Sequence, residues 1–309
     1  MASKPNTARP STNPISSPSG LSMKELATTY HSGFLEFERL SKCPACDHAD
    51  IPTAVEPDIA RCSACHLYFR NPRPTQEEIA RSYDTGGTFA AWQEEETARA
   101  AMWERRLTLV RRYAARGRLL DVGAGDGRFL ISAKATGYQV TGTEVSRAGV
   151  DYARQRGVDI HLGQITDLHL PKVTFDLATI WHVLEHVPEP AAVLREVYGL
   201  LRPGGILVLA VPNEDNYLFQ RRFGKAKISA PFGALEFGGE IHLTYFQPST
   251  LRTALCAAGY EFVKIGVDDA YYIRDWKMQA KLILQQSLAF VLRWHFAVAM
   301  YAIARRPNS

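Results

Sequence analysis

The sequence carries almost no charge bias: 36 basic against 32 acidic side chains leave +4 over 309 residues. That is too little to hold a polyanion by electrostatics alone. Long apolar runs are missing too. The longest, Phe296–Ala304, has nine residues, where a membrane helix needs about 20. The N-terminus, "MASKPNTARPSTNPISSPSG", has no apolar h-region and only Lys4 and Arg9 as basic residues, so it fits neither a secretory leader nor an Arg-rich transit peptide. Its composition predicts a disordered tail over 1–22. No repeat of 20–50 residues occurs, which sets solenoids and propellers aside. Cysteines number only five, four of them in two close pairs. Without an export signal, such pairs read as metal ligands rather than disulfides, and the chain as cytoplasmic.

What is present organises itself around strand–helix alternation. At 46% hydrophobic residues the chain can bury a full core. From Arg118 onward, short apolar runs at 118–122, 138–144, 158–162, 175–181, 205–211 and 260–266 alternate with helical periodicity over 127–136, 146–156, 190–201 and 248–258. This spacing predicts an α/β fold, a parallel sheet with helices on both faces. "RPGG", 202–205, ends one of those helices. Ahead of the sheet, 88–116 reads as a helix with Trp103, Leu107, Val110 and Ala114 on one stripe and Arg and Glu elsewhere; Gly117 ends it. Near the C-terminus Leu284, Leu288, Val291 and Leu292 share a stripe, which predicts a core-facing helix before a buried last strand. The competing reading of this segment is peripheral membrane contact helped by Arg293, Arg305 and Arg306. Cys256, on a predicted helix, is expected to be a small buried apolar residue.

The stretch "LLDVGAGDGRFL", 119–130, sets Gly123, Gly125 and Gly127 on alternate positions behind a strand, with Asp121 and Asp126 beside them. Glycines permit the tight turn and let backbone N–H groups approach a ligand. The spacing is GxGxG rather than GxGxxG, and two carboxylates would repel a pyrophosphate. They suit a ligand with an ammonium and a sulfonium, such as S-adenosylmethionine. Glu144, 23 residues beyond Asp121 at the end of the second strand, is placed for ribose hydroxyls. Asp167, after the third strand, is placed to accept from an adenine amino group.

Residues 118–211 resemble a class I S-adenosylmethionine-dependent methyltransferase. "LLDVGAGDG" is similar to that family's glycine motif and "TGTEVS" to its acidic-loop motif. "FDLATIWHVLEHVPEP" and "LLRPGGILVLAVPN" are similar to its later motifs. The resemblance implies a Rossmann-like seven-stranded sheet whose last strand is antiparallel. It implies that the backbone at Gly123 and Gly125 meets the methionine part, that Glu144 and Val145 serve the ribose, and that Asp167 with Leu168 serves the adenine.

Cys43-Pro-Ala-Cys46 and Cys62-Ser-Ala-Cys65 are separated by fifteen residues, a C-x2-C-x15-C-x2-C spacing within the zinc-site range. Four thiolates close a tetrahedron and leave no position for substrate, which makes the zinc structural. A ribbon over 41–75 is too small to build a core, so metal supplies its folding energy. "RCSACHLYFRNPRPTQEEIARSYD" resembles the junction in methyltransferases with an N-terminal zinc ribbon, where the ribbon helps wall the substrate side. Within 41–75, Lys42, Arg61, Arg70 and Arg73 balance Asp47, Asp50, Glu56 and Asp58, an argument against a nucleic-acid module. An RNA methyltransferase and a non-catalytic binding module are the alternatives to a small-molecule enzyme; the intact Gly123, Gly125, Gly127, Glu144 and Asp167 set argues against the latter.

Ligands of open α/β sheets bind beyond the C-terminal strand ends. His182, His186 and His242 fall there as candidate bases for a hydroxyl acceptor, with Glu185 beside them. A related "LEH" stretch occurs in quinone O-methyltransferases, some of which use a divalent metal, but Glu185 with His186 alone supplies too few ligands. Residues 212–247 mix Tyr217, Phe219, Phe223, Phe232, Phe237, Tyr245 and Phe246 with Arg221, Arg222, Lys225 and Lys227. A connection of this length reads as a lid. The methyltransferase domain is thus expected over 88–309, lid included.

Overall fold

The structure, a computed structural model, describes residues 36–49, 53–56, 58–83, 96–216, 241–268 and 297–308, with positions 280, 283, 284 and 287. The tail 1–22 lies outside the described residues, as do 217–240 of the expected lid. In chain order the elements are β1 (Phe37–Glu38), β2 (Thr53–Glu56), β3 (Ile59–Arg61), β4 (Tyr68–Arg70), β5 (Arg73–Pro74), α1 (Gln76–Tyr83), α2 (Glu96–Arg111), β6 (Arg118–Val122), α3 (Arg128–Ala135), β7 (Gln139–Glu144), α4 (Arg147–Gln155), β8 (Ile160–Leu162), β9 (Phe175–Trp181), α5 (Pro190–Leu200), β10 (Leu201–Pro212), β11 (Thr244–Tyr245), α6 (Pro248–Ala257), β12 (Glu261–Asp268) and β13 (Ala299–Arg305).

The main sheet has seven strands in the order β12-β13-β10-β9-β6-β7-β8. β10, β9, β6, β7 and β8 run parallel. β13 inserts antiparallel between β10 and β12, the expected antiparallel last strand. The order reverses at β6, which has β7 on one side and β9 on the other. This is the switch point where open α/β sheets bind ligands. Apolar residues cover both faces. Leu107, Val110, Phe129, Leu130, Val150 and Ala153 of α2, α3 and α4 pack on one face. Leu194, Val197, Leu251 and Leu255 of α5 and α6 pack on the other, together with Cys43, Leu67 and Phe69 of the ribbon.

Several expectations are corrected. α1 had no counterpart in the sequence reading. The preceding helix ends at Leu200, just before Arg202-Pro-Gly-Gly as expected, but this segment lies inside the fifth strand, with a register break between Leu201 and Ile206 and a left-handed Gly204 at φ 77°. Leu284 is 59% exposed and Ile283 58%. Leu288, Val291 and Leu292, the rest of that predicted stripe, lie outside the described residues. Cys256 is exposed, because α6 buries Thr250, Leu251, Ala254 and Leu255 and the next residue turns outward. Tyr245 and Phe246 do not stand ready to stack on a ring: both are buried, and Thr244–Tyr245 pairs antiparallel with Tyr68–Phe69 of the ribbon. Among the described residues no helix is long and apolar enough to cross a membrane.

Close packing between sheet and helix rests on Gly142 of β7. A Cβ there would stand 2.7 Å from Leu130 Cδ1 and 3.1 Å from Ala124 Cβ. Gly142→Val should lower the unfolding free energy by about 1–3 kcal/mol, seen as a lower urea midpoint at unchanged slope. A wild-type midpoint would show that this contact opens freely.

Candidate active site

β6 delivers the chain into the glycine loop, where Gly123, Gly125 and Gly127 have φ of 68°, 56° and 73°, backbone that favours glycine. The Ala124 N–H donates to Thr143 O of β7 at 2.8 Å, pinning the loop over the neighbouring strand. Gly123 also meets the turn after β9: a Cβ on it would lie 2.3 Å from Val183 Cγ2. Glu144 caps β7, and its carboxylate accepts from Gly125 N and Ser146 N, both at 2.8 Å. Val145 is 40% exposed beside it. Asp167 lies exposed past β8, and Leu168 is half-buried.

The two loop aspartates are not bare. Asp126 takes a forked pair from Arg99 at 2.8 and 3.3 Å and a further contact from Arg128 at 3.2 Å. Asp121 is buried and accepts from Thr179 Oγ1 at 2.6 Å. Burial pushes its carboxyl up to about 7, against the Thr179 hydrogen bond and the Arg106 charge. The sequence reading of free carboxylates around the loop is corrected: Asp126 is ion-paired, and Asp121 faces the sheet.

Beyond β9 lies a row of buried charges. Arg106, wedged 4.9 and 4.7 Å from the Trp103 and Trp181 rings, donates to both oxygens of Asp268 at 3.4 and 2.7 Å. Asp268 Oδ2 lies 3.0 Å from His182 Nε2. His182 Nδ1 lies 3.3 Å from Glu185 Oε1. Burial alone would lower the His182 pKa, but Asp268 and Glu185 raise it to about 9. Burial likewise works against the charge on Asp268, yet Arg106 and His182 hold its carboxyl well below the usual carboxylate range. His182 has φ of 54°, a strained position for a non-glycine residue.

Glu185, His186 and His242 form the next group. His186 Nδ1 lies 2.9 Å from Ile241 O and its Nε2 3.9 Å from Glu185 Oε1. The His186 and His242 rings meet edge-on at 4.7 Å. Burial, then the neighbouring His186, pushes His242 down to about 3. Glu185 Oε1 is met by His182 Nδ1 at 3.3 Å, while Glu185 Oε2 has no hydrogen-bond partner among the described residues. One ligand atom from each of the three lies within 4.8 Å of the others, so His242 adds the third donor that the sequence alone did not place.

In the ribbon, the Sγ atoms of Cys43 and Cys65 lie 3.6 Å apart and those of Cys46 and Cys62 3.7 Å. Four sulfurs at about 2.3 Å from one ion stand about 3.8 Å apart at tetrahedral corners, so these thiols fit a metal. The two knuckles share one geometry. Cys43 N and Cys62 N donate to His48 O and Leu67 O at 2.9 Å each, and Asp47 N and His66 N donate back to Cys43 O and Cys62 O. Asp47 and His66 both have left-handed φ, 59° and 64°.

Sequence reasoning missed Arg99, Arg106, Thr179, Ser146 and Asp268. A signal existed for two of them: Arg99 and Arg106 fall on the same helical stripe as Trp103 and Val110. Asp268 carries no local signal.

The methyltransferase-domain family matches residues 92–265. The ubiquinone biosynthesis O-methyltransferase of Xanthomonas axonopodis pv. citri is 30% identical over 177 residues, covering 54% of this chain and 71% of that protein. The protein of the same name from Xanthomonas oryzae pv. oryzae (strain PXO99A) is 38% identical over 177 residues, with the same coverage. Among solved structures, a SAM-dependent methyltransferase from Thermotoga maritima superposes with a TM-score of 0.51 at 19% identity over 71% of this chain and 95% of that one. This last likeness is one of fold.

Because His182 gains its partners on folding, its folded pKa of about 9 exceeds the unfolded 6.5. Its contribution, on the order of 3 kcal/mol, is fully present below about pH 6.5 and is lost as pH rises through about 9. Stability measured from pH 6 to 10 should fall in this window and flatten in His182→Gln. Parallel curves for the two proteins would remove the imidazolium from the row.

Proposed function

Since the chain belongs to the methyltransferase-domain family and is an S-adenosylmethionine-dependent methyltransferase, we propose that it methylates a hydroxyl oxygen of a small biosynthetic intermediate, quinone-like or sugar. The observation that carries this reading is the pairing of two groups at the switch point. Glu144 holds the Gly125 amide on one side, and Glu185, His186 and His242 gather on the other. The relatives at 30% and 38% identity are named as O-methyltransferases of ubiquinone biosynthesis, which favours oxygen as the acceptor atom and a ring hydroxyl as its setting.

The bound donor supplies an electrophilic methyl on a sulfonium, so the chain's own task is alignment and proton removal. Gly123, Gly125, Gly127, Glu144, Val145, Asp167 and Leu168 form the donor site, with Asp121 behind the loop. For hydroxyl orientation and proton removal we assign His242 and His186 ahead of His182. Both ring nitrogens of His182 face carboxylates, so it serves as a fixed cation that orients Glu185. His242 is held neutral by burial, so its ring can accept a hydrogen bond from the hydroxyl and orient it, while a pKa of about 3 makes it a weak base and leaves proton removal to His186 beside it. The same three residues could instead hold a divalent cation that acidifies the hydroxyl; the gathering of one ligand atom from each within 4.8 Å favours this second reading.

Cys43, Cys46, Cys62 and Cys65 hold a structural zinc in this reading, and reduced thiols suit the cytoplasm. The charge balance of the ribbon supports a small-molecule acceptor over RNA.

Labelled methyl transfer should appear in small-molecule fractions of a lysate, with catechol as the first defined acceptor; label confined to RNA or protein would refute the proposal. Glu144→Ala should weaken S-adenosylmethionine binding by about 100-fold, as loss of two charge-assisted hydrogen bonds predicts, with the fold intact by circular dichroism. Wild-type calorimetry for this variant would reject the ribose assignment. Chelation should release one zinc per chain and unfold the ribbon; an ordered, metal-free ribbon would reject the zinc.

A further inference from the structure

Resting on the active-site reading above, we propose that Arg70 and Arg73 of the ribbon are positioning residues that hold the two segments carrying Glu185, His186 and His242. Both arginines are 3% exposed, and both aim donors at backbone carbonyls of the catalytic domain. Arg70 Nε donates to His242 O at 3.0 Å, and Arg70 N donates to Leu243 O at 2.9 Å. Arg73 Nη1 donates to Pro188 O at 2.6 Å, two residues past His186.

The two clamped segments are also tied to each other. Leu243 N and Thr244 N both donate to Glu185 O, at 2.8 and 3.1 Å, and Thr244 Oγ1 donates to Leu184 O at 3.4 Å. Strand β11 thus lies between ribbon strand β4, which it pairs with at Thr244↔Phe69 and Tyr245↔Tyr68, and the Glu185 turn. A third tie runs from Ala191 N to Pro44 O of the first cysteine knuckle at 3.4 Å.

Each arginine is itself oriented. Asp58, 2% exposed, pairs with Arg70 Nη1. Glu38 accepts from Arg73 Nε at 2.7 Å, and Glu189 lies 3.7 Å from Arg73 Nη2. An interface built only for cohesion would need apolar contact, which Leu67 and Phe69 already provide. Directional donors aimed at the carbonyls that flank the site add what apolar contact lacks: a fixed backbone position for His242 and for the Glu185 turn.

The test uses the full chain with its zinc. Two variants are made: Arg73→Met, and the paired Asp58→Asn/Arg70→Met, which leaves no buried carboxylate unpartnered. Zinc content and S-adenosylmethionine affinity by calorimetry are expected within twofold of wild type. Amide exchange at Leu243 and Thr244 should speed up by about tenfold or more, from loss of charge-assisted hydrogen bonds. The kcat for labelled methyl transfer to catechol at saturating donor should fall by about tenfold, with KM for the donor unchanged, and Arg73→Lys should recover part of it. Unchanged exchange, or unchanged kcat on catechol with exchange altered, overturns the proposal. If the wild-type chain leaves catechol unmethylated, the acceptor reading fails by itself, and the kcat comparison is then made on the small-molecule lysate fraction that takes up label, where an unchanged rate overturns the positioning role.

Discussion

The row Arg106–Asp268–His182–Glu185 alternates in sign through a buried region, and most of the active-site geometry hangs from it. Its members come from α2, the end of β12, the end of β9 and the turn that follows. Deleting one leaves its neighbour as an uncompensated buried charge, which costs about 3–5 kcal/mol. The row also accounts for the strain at His182. A left-handed φ there costs on the order of 1–3 kcal/mol, and the two carboxylates, one on each ring nitrogen, hold it. That backbone reversal brings Val183 against Gly123, where no Cβ fits. Gly123 and the His182 side chain are therefore two ends of one constraint.

What could be read from sequence was local in origin. The glycine spacing, Glu144 at the end of its strand and the paired cysteines each express their geometry within a few residues. β6 and β9 fell within their expected bounds because turn residues bracket short apolar runs. Apart from the unplaced α1 and the early start of β10, the failures are questions of which face or which partner. Cys256 and Leu284 are apolar and helical, but residue type does not say which side of a helix the rest of the fold covers. Tyr245 looked like a lid aromatic because its partner, Tyr68, lies far off in the chain. Arg106 and Asp268 are 162 residues apart, and neither predicts the other. Only Arg99 and Arg106 were readable in principle, since their spacing sets them on the apolar stripe of α2.

The electrostatic case for a sulfonium donor changes form in three dimensions. Asp126 is neutralised by Arg99 and Arg128, and Asp121 sits near its protonation midpoint at neutral pH. The field around the loop is less negative than a count of carboxylates suggests. In the proposed donor site, selection rests on geometry instead. In a phosphate-binding loop the backbone N–H groups face the anion. Here the Gly125 N–H points at the Glu144 carboxylate, so a diphosphate would have to displace a carboxylate and then sit beside it. A ribose hydroxyl can donate to Glu144 without breaking that arrangement, because a carboxylate has about four acceptor sites and the two amides use two.

The ribbon is not an appended arm. β11 belongs by chain position to the catalytic domain and by hydrogen bonding to the ribbon sheet. Swinging the ribbon away would break the β4–β11 pairing, the Arg70 contact to His242 O and the Arg73 contact to Pro188 O. The two arginine contacts involve charged donors worth about 1.5–3 kcal/mol each. Asp58 would also leave its buried site with Arg70 or lose its partner. A motion of that cost lies beyond ordinary gating, in which minor states stand only a few kcal/mol above the ground state. Under the proposed positioning role, the ribbon stays in place as a wall beside His242, tied to it by the Arg70 contact and the β4–β11 pairing.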